Sequence, residues 1–176
     1  VRFRDTSVDG VLIVELERIE DERGSFARTF DIAQFAERGL DVRVDQCSTS
    51  FNARAGTLRG MHYQAAPHGE VKLVRCTRGA IFDAVVDLRP DSPSHLRWFG
   101  TELSAENGLA LYIPEGCAHG FLTLADASEV LYQIATPYVP DAARGVRWDD
   151  RAFGIQWPAP PRIMSQRDAE YPDFAA

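Results

Sequence analysis

Two histidines, 57 residues apart, stand in glycine-rich settings that suit proton transfer or the capture of an anion. His62 lies in Gly56-Thr57-Leu58-Arg59-Gly60-Met61-His62-Tyr63-Gln64, which reads as a strand entered from a glycine turn. In alternation Leu58, Gly60 and His62 share a face. A histidine turned into a β barrel is either a hydrogen-bonded core residue or a general base, since imidazole titrates in the useful range. Arg59 adds a cation suited to an anionic ligand. His119 follows Ile113-Pro114 in Glu115-Gly116-Cys117-Ala118-His119-Gly120-Phe121, which reads as a tight glycine-flanked turn. Too few nitrogen and oxygen ligands accompany the two histidines to complete a metal shell, so no metal is expected.

The nineteen basic residues comprise eighteen arginines and one lysine, Lys72, set in the apolar run Val71-Lys72-Leu73-Val74. A buried ammonium is costly unless something uses it, and lysine is a compact point charge where arginine is a planar fork. The alternative is an amine that snorkels to solvent. Tyr132 shares a strand face with Val130 and Ile134. Its phenol is either a structural group with a hydrogen-bond partner or a general acid. Tyr138 lies nearer a loop and reads as packing against substrate or core. In the polar island Ser165-Gln166-Arg167-Asp168 the carboxylate is either part of a solvated turn or the group that fixes the His62 tautomer. Asp21-Glu22-Arg23-Gly24-Ser25-Phe26 is either an ordinary turn or an arginine for phosphate beside an aromatic for stacking.

Short strands must position these groups. Candidates are 11–17, 71–77, 80–88, 98–103, 109–113, 120–124 and 129–135, bounded by Gly, Pro, Asn or Asp. Residues 80–88 alternate with period two, Phe82, Ala84, Val86 and Leu88 opposing Asp83 and Asp87. Such strands build a sandwich or small barrel. One short helix is expected at 32–38, with Asp31 as N-cap and Gly39 beyond its end, as a decoration on the β fold. The proline-bearing stretch after Tyr138 should wrap rather than join a sheet.

The 176 residues suit a single domain over 1–176, large enough to bury a core without disulfides. A hydrophobic share of 45% excludes disorder for the bulk. A net charge of −7 argues against nucleic acid as partner, though converging cations could still hold an anionic small molecule. No apolar run is long enough for a membrane helix, residues 1–20 hold no signal-peptide core, and Cys47, Cys76 and Cys117 form no CxxC. A cytoplasmic protein with reduced thiols is expected.

Taken in order, Asp21-x-Arg23-Gly24-x-Phe26, Gly56-x-Leu58-Arg59-Gly60-x-His62-Tyr63-Gln64, Lys72-Leu73-Val74-Arg75, Ile113-Pro114-Glu115-Gly116-x-Ala118-His119-Gly120-Phe121 and Tyr132-x5-Tyr138-x-Pro140 closely resemble the dTDP-4-dehydrorhamnose 3,5-epimerase family over nearly the whole chain. The resemblance implies a mainly β, cupin-type jelly roll or sandwich, working as a homodimer without metal or organic cofactor on a nucleotide-linked 4-keto-6-deoxy sugar. It makes His62 the base, Tyr132 the acid and Asp168 the partner of His62, and sets Lys72 by the C4 oxygen. Arg23, Arg59 and His119 join the substrate-binding set, with Phe26 and Gln46 near the nucleotide; Arg167 and Tyr138 follow more weakly. The chain departs from the family at Arg28 and Ala143, where glutamate is frequent, and by one extra residue between Gln46 and Gly56.

Hydrogens at C3 and C5 of a 4-keto sugar are acidified by the carbonyl, so removing either gives an enolate with charge on the C4 oxygen. A base, a cation for the oxyanion and an acid on the opposite ring face are then required. A C3-only or C5-only epimerase, a 3,4-ketoisomerase of the same architecture and a sugar-binding module without catalysis are the competing readings.

Overall fold

The computed structural model describes residues 1–174. Its strands are β1 (Arg2–Asp5), β2 (Leu12–Glu15), β3 (Ile19–Asp21), β4 (Gly24–Phe26), β5 (Gln46–Asn52), β6 (Leu58–Gln64) and β7 (Lys72–Arg78). They continue with β8 (Ala80–Asp87), β9 (Trp98–Ser104), β10 (Ala110–Ile113), β11 (Cys117–Thr123), β12 (Ser128–Ile134) and β13 (Ala143–Gly145). Helices α1 (Ile32–Glu37) and α2 (Gln166–Ala169) are short.

Two antiparallel sheets face each other, in the orders β1-β2-β10-β7-β12-β5 and β13-β6-β11-β8-β9, and β3 and β4 form a separate hairpin. This is the cupin-type sandwich expected from the sequence. Between the sheets Ile13, Val74, Leu111, Ile113 and Val130 of one meet Ile81, Val85, Leu103 and Phe121 of the other. Both sheets are also covered outside. Phe35 of α1 is completely buried over Leu12, Val14, Leu73 and Tyr112 of the six-stranded sheet. Asp31 caps α1 by accepting from Gln34 N at 3.2 Å, and Gly39 follows it at φ 70°, a left-handed conformation that glycine adopts without penalty. The helix therefore closes a second hydrophobic layer rather than decorating the surface.

On the other side, Phe153, Ile155 and Trp157 of the chain after β13 pack on Met61, Ala84 and Val86. That stretch wraps as its prolines suggest, except that β13 first joins β6 as an edge strand. A further correction concerns His119: it is in the middle of β11, paired with β6 and β8, and not on a turn. Gly120 beside it serves close strand packing, since a Cβ there would come within 2.8 Å of Arg59 O, while Gly116 stays in the turn that precedes the strand.

Candidate active site

Several inward rows of the sandwich carry one polar residue among apolar ones, at or next to a single cavity. Lys72 precedes Val74 and Cys76, Tyr132 follows Val130, His119 stands between Cys117 and Phe121, and Asp83 stands between Ile81 and Val85. The cavity encloses about 310 Å³ and is lined by Arg59, His62, Glu70, Lys72, His119, Tyr132 and Tyr138, with Ser48 and Ser50 of β5. That is at the lower end of the volumes typical of small-molecule sites.

Arg59 and His62 are three apart and by simple alternation should face opposite ways. They line the same cavity because β6 carries a bulge against β11: His119 pairs with His62, whereas Phe121 pairs with Arg59. The extra residue is at Gly60, whose φ of 132° is closed to most side chains and whose missing Cβ leaves room for Gly120 Cα.

Four pairings hold the polar side chains. Asp168 Oδ1 is 2.7 Å from His62 Nε2, and Asp168 Oδ2 accepts from Gly60 N at 3.3 Å. Ser165 caps α2 by accepting from Asp168 N at 3.1 Å, which fixes where the carboxylate starts. Burial alone would raise the Asp168 carboxyl, but the His62 contact, with Gly60 and Ser165, holds it below the usual carboxylate range. An ionised carboxylate only accepts, so His62 Nε2 carries a proton and Nδ1 is the nitrogen left to act as base.

Lys72 Nζ lies 2.8 Å from Glu70 Oε1, both side chains being nearly buried, and 3.5 Å from His62 O. The amine does not snorkel outward. Arg59 Nε donates to Asn52 Oδ1 at 2.8 Å. His119 Nε2 lies 2.7 Å from Asp83 Oδ1, but out of line for a hydrogen bond, so both Asp83 oxygens are buried without one. Across from His119, at 6.2 Å between ring centres, stands Tyr132. Burial, reinforced by the charge of Asp83, pushes its phenol well above the ordinary value against the opposing pull of Arg59 and Ser50. It therefore stays protonated, as a proton donor must.

The remaining candidates sit farther out. Tyr138 is exposed at the cavity rim, its backbone N–H donating to Gln46 Oε1 at 2.9 Å. Arg167 lines an adjoining depression of about 470 Å³ that also reaches Arg59, His62 and Asp168. Arg23 and Phe26 are not brought to the cavity: both are largely exposed on the β3–β4 hairpin, around a separate hollow of about 300 Å³. Reasoning from sequence missed Glu70, Asn52, Asp83, Ser48 and Ser50. For Asp83 there was a signal, since Ile81 and Val85 flank it in its own apolar row.

The family model described as dTDP-4-dehydrorhamnose 3,5-epimerase matches residues 5–176. The chain belongs to that family. A relative of that name from Methanothermobacter thermautotrophicus is 46% identical over 97% of this chain and 92% of its own. The crystal structure of the Elizabethkingia anophelis enzyme of the same name superimposes with a TM-score of 0.95 at 35% identity, covering 98% of this chain and 96% of that one. The Bacillus anthracis enzyme, solved with TDP and PPi bound, gives 0.94 at 35% identity over 98% and 99%.

Proposed function

We propose that this family member inverts C3 and C5 of a nucleotide-linked 4-keto-6-deoxyhexose, dTDP-4-dehydro-6-deoxyglucose first among them, through an enolate. The observation that carries this reading is the convergence of His62, already hydrogen-bonded to Asp168 at 2.7 Å, with Lys72 and the protonated Tyr132 in one cavity. His62 Nδ1 takes the proton α to the carbonyl, and Asp168 stabilises the imidazolium that results. Lys72 sets its charge beside the C4 oxygen, where preorganised charge in a partly dry site is worth about 3 kcal/mol or more of barrier. Tyr132 returns a proton to the opposite ring face.

Arg59 and Arg167 are the cations for the diphosphate, with His119 among the substrate contacts. Tyr138 and Gln46, joined at the rim, belong to the nucleotide end. Arg23 and Phe26 serve the same end only if their hairpin meets a second protomer. This supports a homodimer, which would also cover the exposed Phe26 and Ile19. The whole forms one catalytic domain, and the three free thiols fit a cytoplasmic location.

Proton NMR of dTDP-4-keto-6-deoxyglucose with the protein in D₂O tests the reading. Deuterium and inversion at both carbons are expected. Exchange at one carbon alone would make it a mono-epimerase, and exchange at neither would overturn the proposal.

A further inference from the structure

Tyr171 follows α2 and plays no part in the reaction as described above. Its ring stands edge-on to the His62 imidazole, 6.1 Å between centres at 70°. The position is defined from two further sides. Gly145 of β13 pairs directly with His62 of β6, and a Cβ on Gly145 would run into the Tyr171 ring, so the absence of a side chain there makes the slot the tyrosine fills. The Arg167 guanidinium stacks over the same ring at 5.8 Å. The Tyr171 hydroxyl is buried with no well-aligned hydrogen bond, and the Arg167 side chain is the polar group beside it, so the fit of the ring in its slot is the main constraint on its position.

The imidazole has one polar tether, Asp168, which leaves the ring free to rock about that bond. A second, apolar constraint at a different angle removes the freedom. We propose that Tyr171 is a positioning residue for His62: seated in the Gly145 slot, it fixes the imidazole plane so that Nδ1 faces the cavity while Nε2 stays on Asp168. The inference rests on His62 being the base. Small errors in the placement of a reacting group are expensive, so loss of the constraint should lower turnover without weakening substrate binding.

Three variants separate this from a structural role. Tyr171→Ala should reduce kcat about tenfold with KM within about twofold. Gly145→Ala, which evicts the ring from the opposite side, should give the same split. Tyr171→Phe should retain nearly full turnover, because the ring alone fills the Gly145 slot and faces the imidazole. Long-range ¹H–¹⁵N spectra of the His62 ring supply a readout independent of catalysis: one Nε2-protonated form in the wild type and the Phe variant, averaged tautomers in the Ala variants. Wild-type kcat and an unchanged His62 spectrum in Tyr171→Ala would overturn the proposal, as would a Phe variant as impaired as the Ala one. Wild-type turnover by His62→Ala would instead remove the base assignment, and the spectra would still decide whether Tyr171 orders the imidazole.

Discussion

Two histidine–aspartate pairs stand next to each other across the β6–β11 ladder, at the same distance of 2.7 Å, and they are built to opposite specifications. The His62 side chain is 42% exposed and its aspartate is hydrogen-bonded in line, whereas the His119 and Asp83 side chains are 4% and 0% exposed and out of line. An accessible ring tethered at one nitrogen can pass a proton to a ligand with the other. The second pair is enclosed, and the buried charge of Asp83 adds to the burial that raises the Tyr132 phenol. Equal separation therefore does not mean an equal setting; exposure and alignment suit the first pair to proton transfer and the second to electrostatic support.

The comparison breaks most sharply at His62. His62→Ala should lower epimerisation and deuterium uptake together by about 10²–10⁴-fold, with TDP affinity measured by calorimetry nearly unchanged. Comparable loss from His119→Ala, with proton exchange abolished, would show that the enclosed pair is also a base. Next comes Tyr132→Phe, which should lose inversion while one carbon still exchanges with D₂O. Full epimerisation by that variant would place the acid elsewhere.

Asp83→Asn sharpens the electrostatic half. Removing the negative charge makes the phenolate easier to form, so Tyr132 should titrate lower in an ultraviolet tyrosinate titration. It should remain above ordinary tyrosine, because burial is the larger cause. The smallest effect is on stability. Asp168 titrates lower folded than the roughly 3.9 of an unfolded aspartate, so its contribution is complete above that pH and fades as pH falls through the folded value. Asp168→Asn should thus be less stable than the wild type by about 1 kcal/mol at neutral pH, a modest figure because the pair is partly screened by solvent. Denaturant melts should show the gap shrinking below about pH 4.

How much of this was legible before folding depends on the distance over which each relation acts. Strand rows are local, so the β sandwich could be read from period-two runs such as 80–88, and α1 from Asp31 and Gly39. Lys72 stood out by composition alone. Asp83 was obscured because both rows of residues 80–88 are apolar, so alternation alone does not say which one faces the other sheet. That Arg59 and His62 face one cavity depends on a bulge, and alternation counted along one strand cannot register a residue inserted against its neighbour. His119 was misplaced because its two glycines read as one turn, when Gly116 alone is in the turn and Gly120 serves close packing between β6 and β11. Asp168 lies 106 residues from His62, and that contact exists only after the tail has wrapped the five-stranded sheet.

The wrapping makes one half of the His62–Asp168 pair separable from the sandwich that carries the other. Every strand of both sheets precedes residue 168 in the chain, so a chain clipped ahead of α2 would keep the strands that line the cavity and the His62 imidazole but lack its carboxylate. A protease that trims the tail ahead of α2 would thus remove the carboxylate that tethers the imidazole while leaving the cavity walls in place.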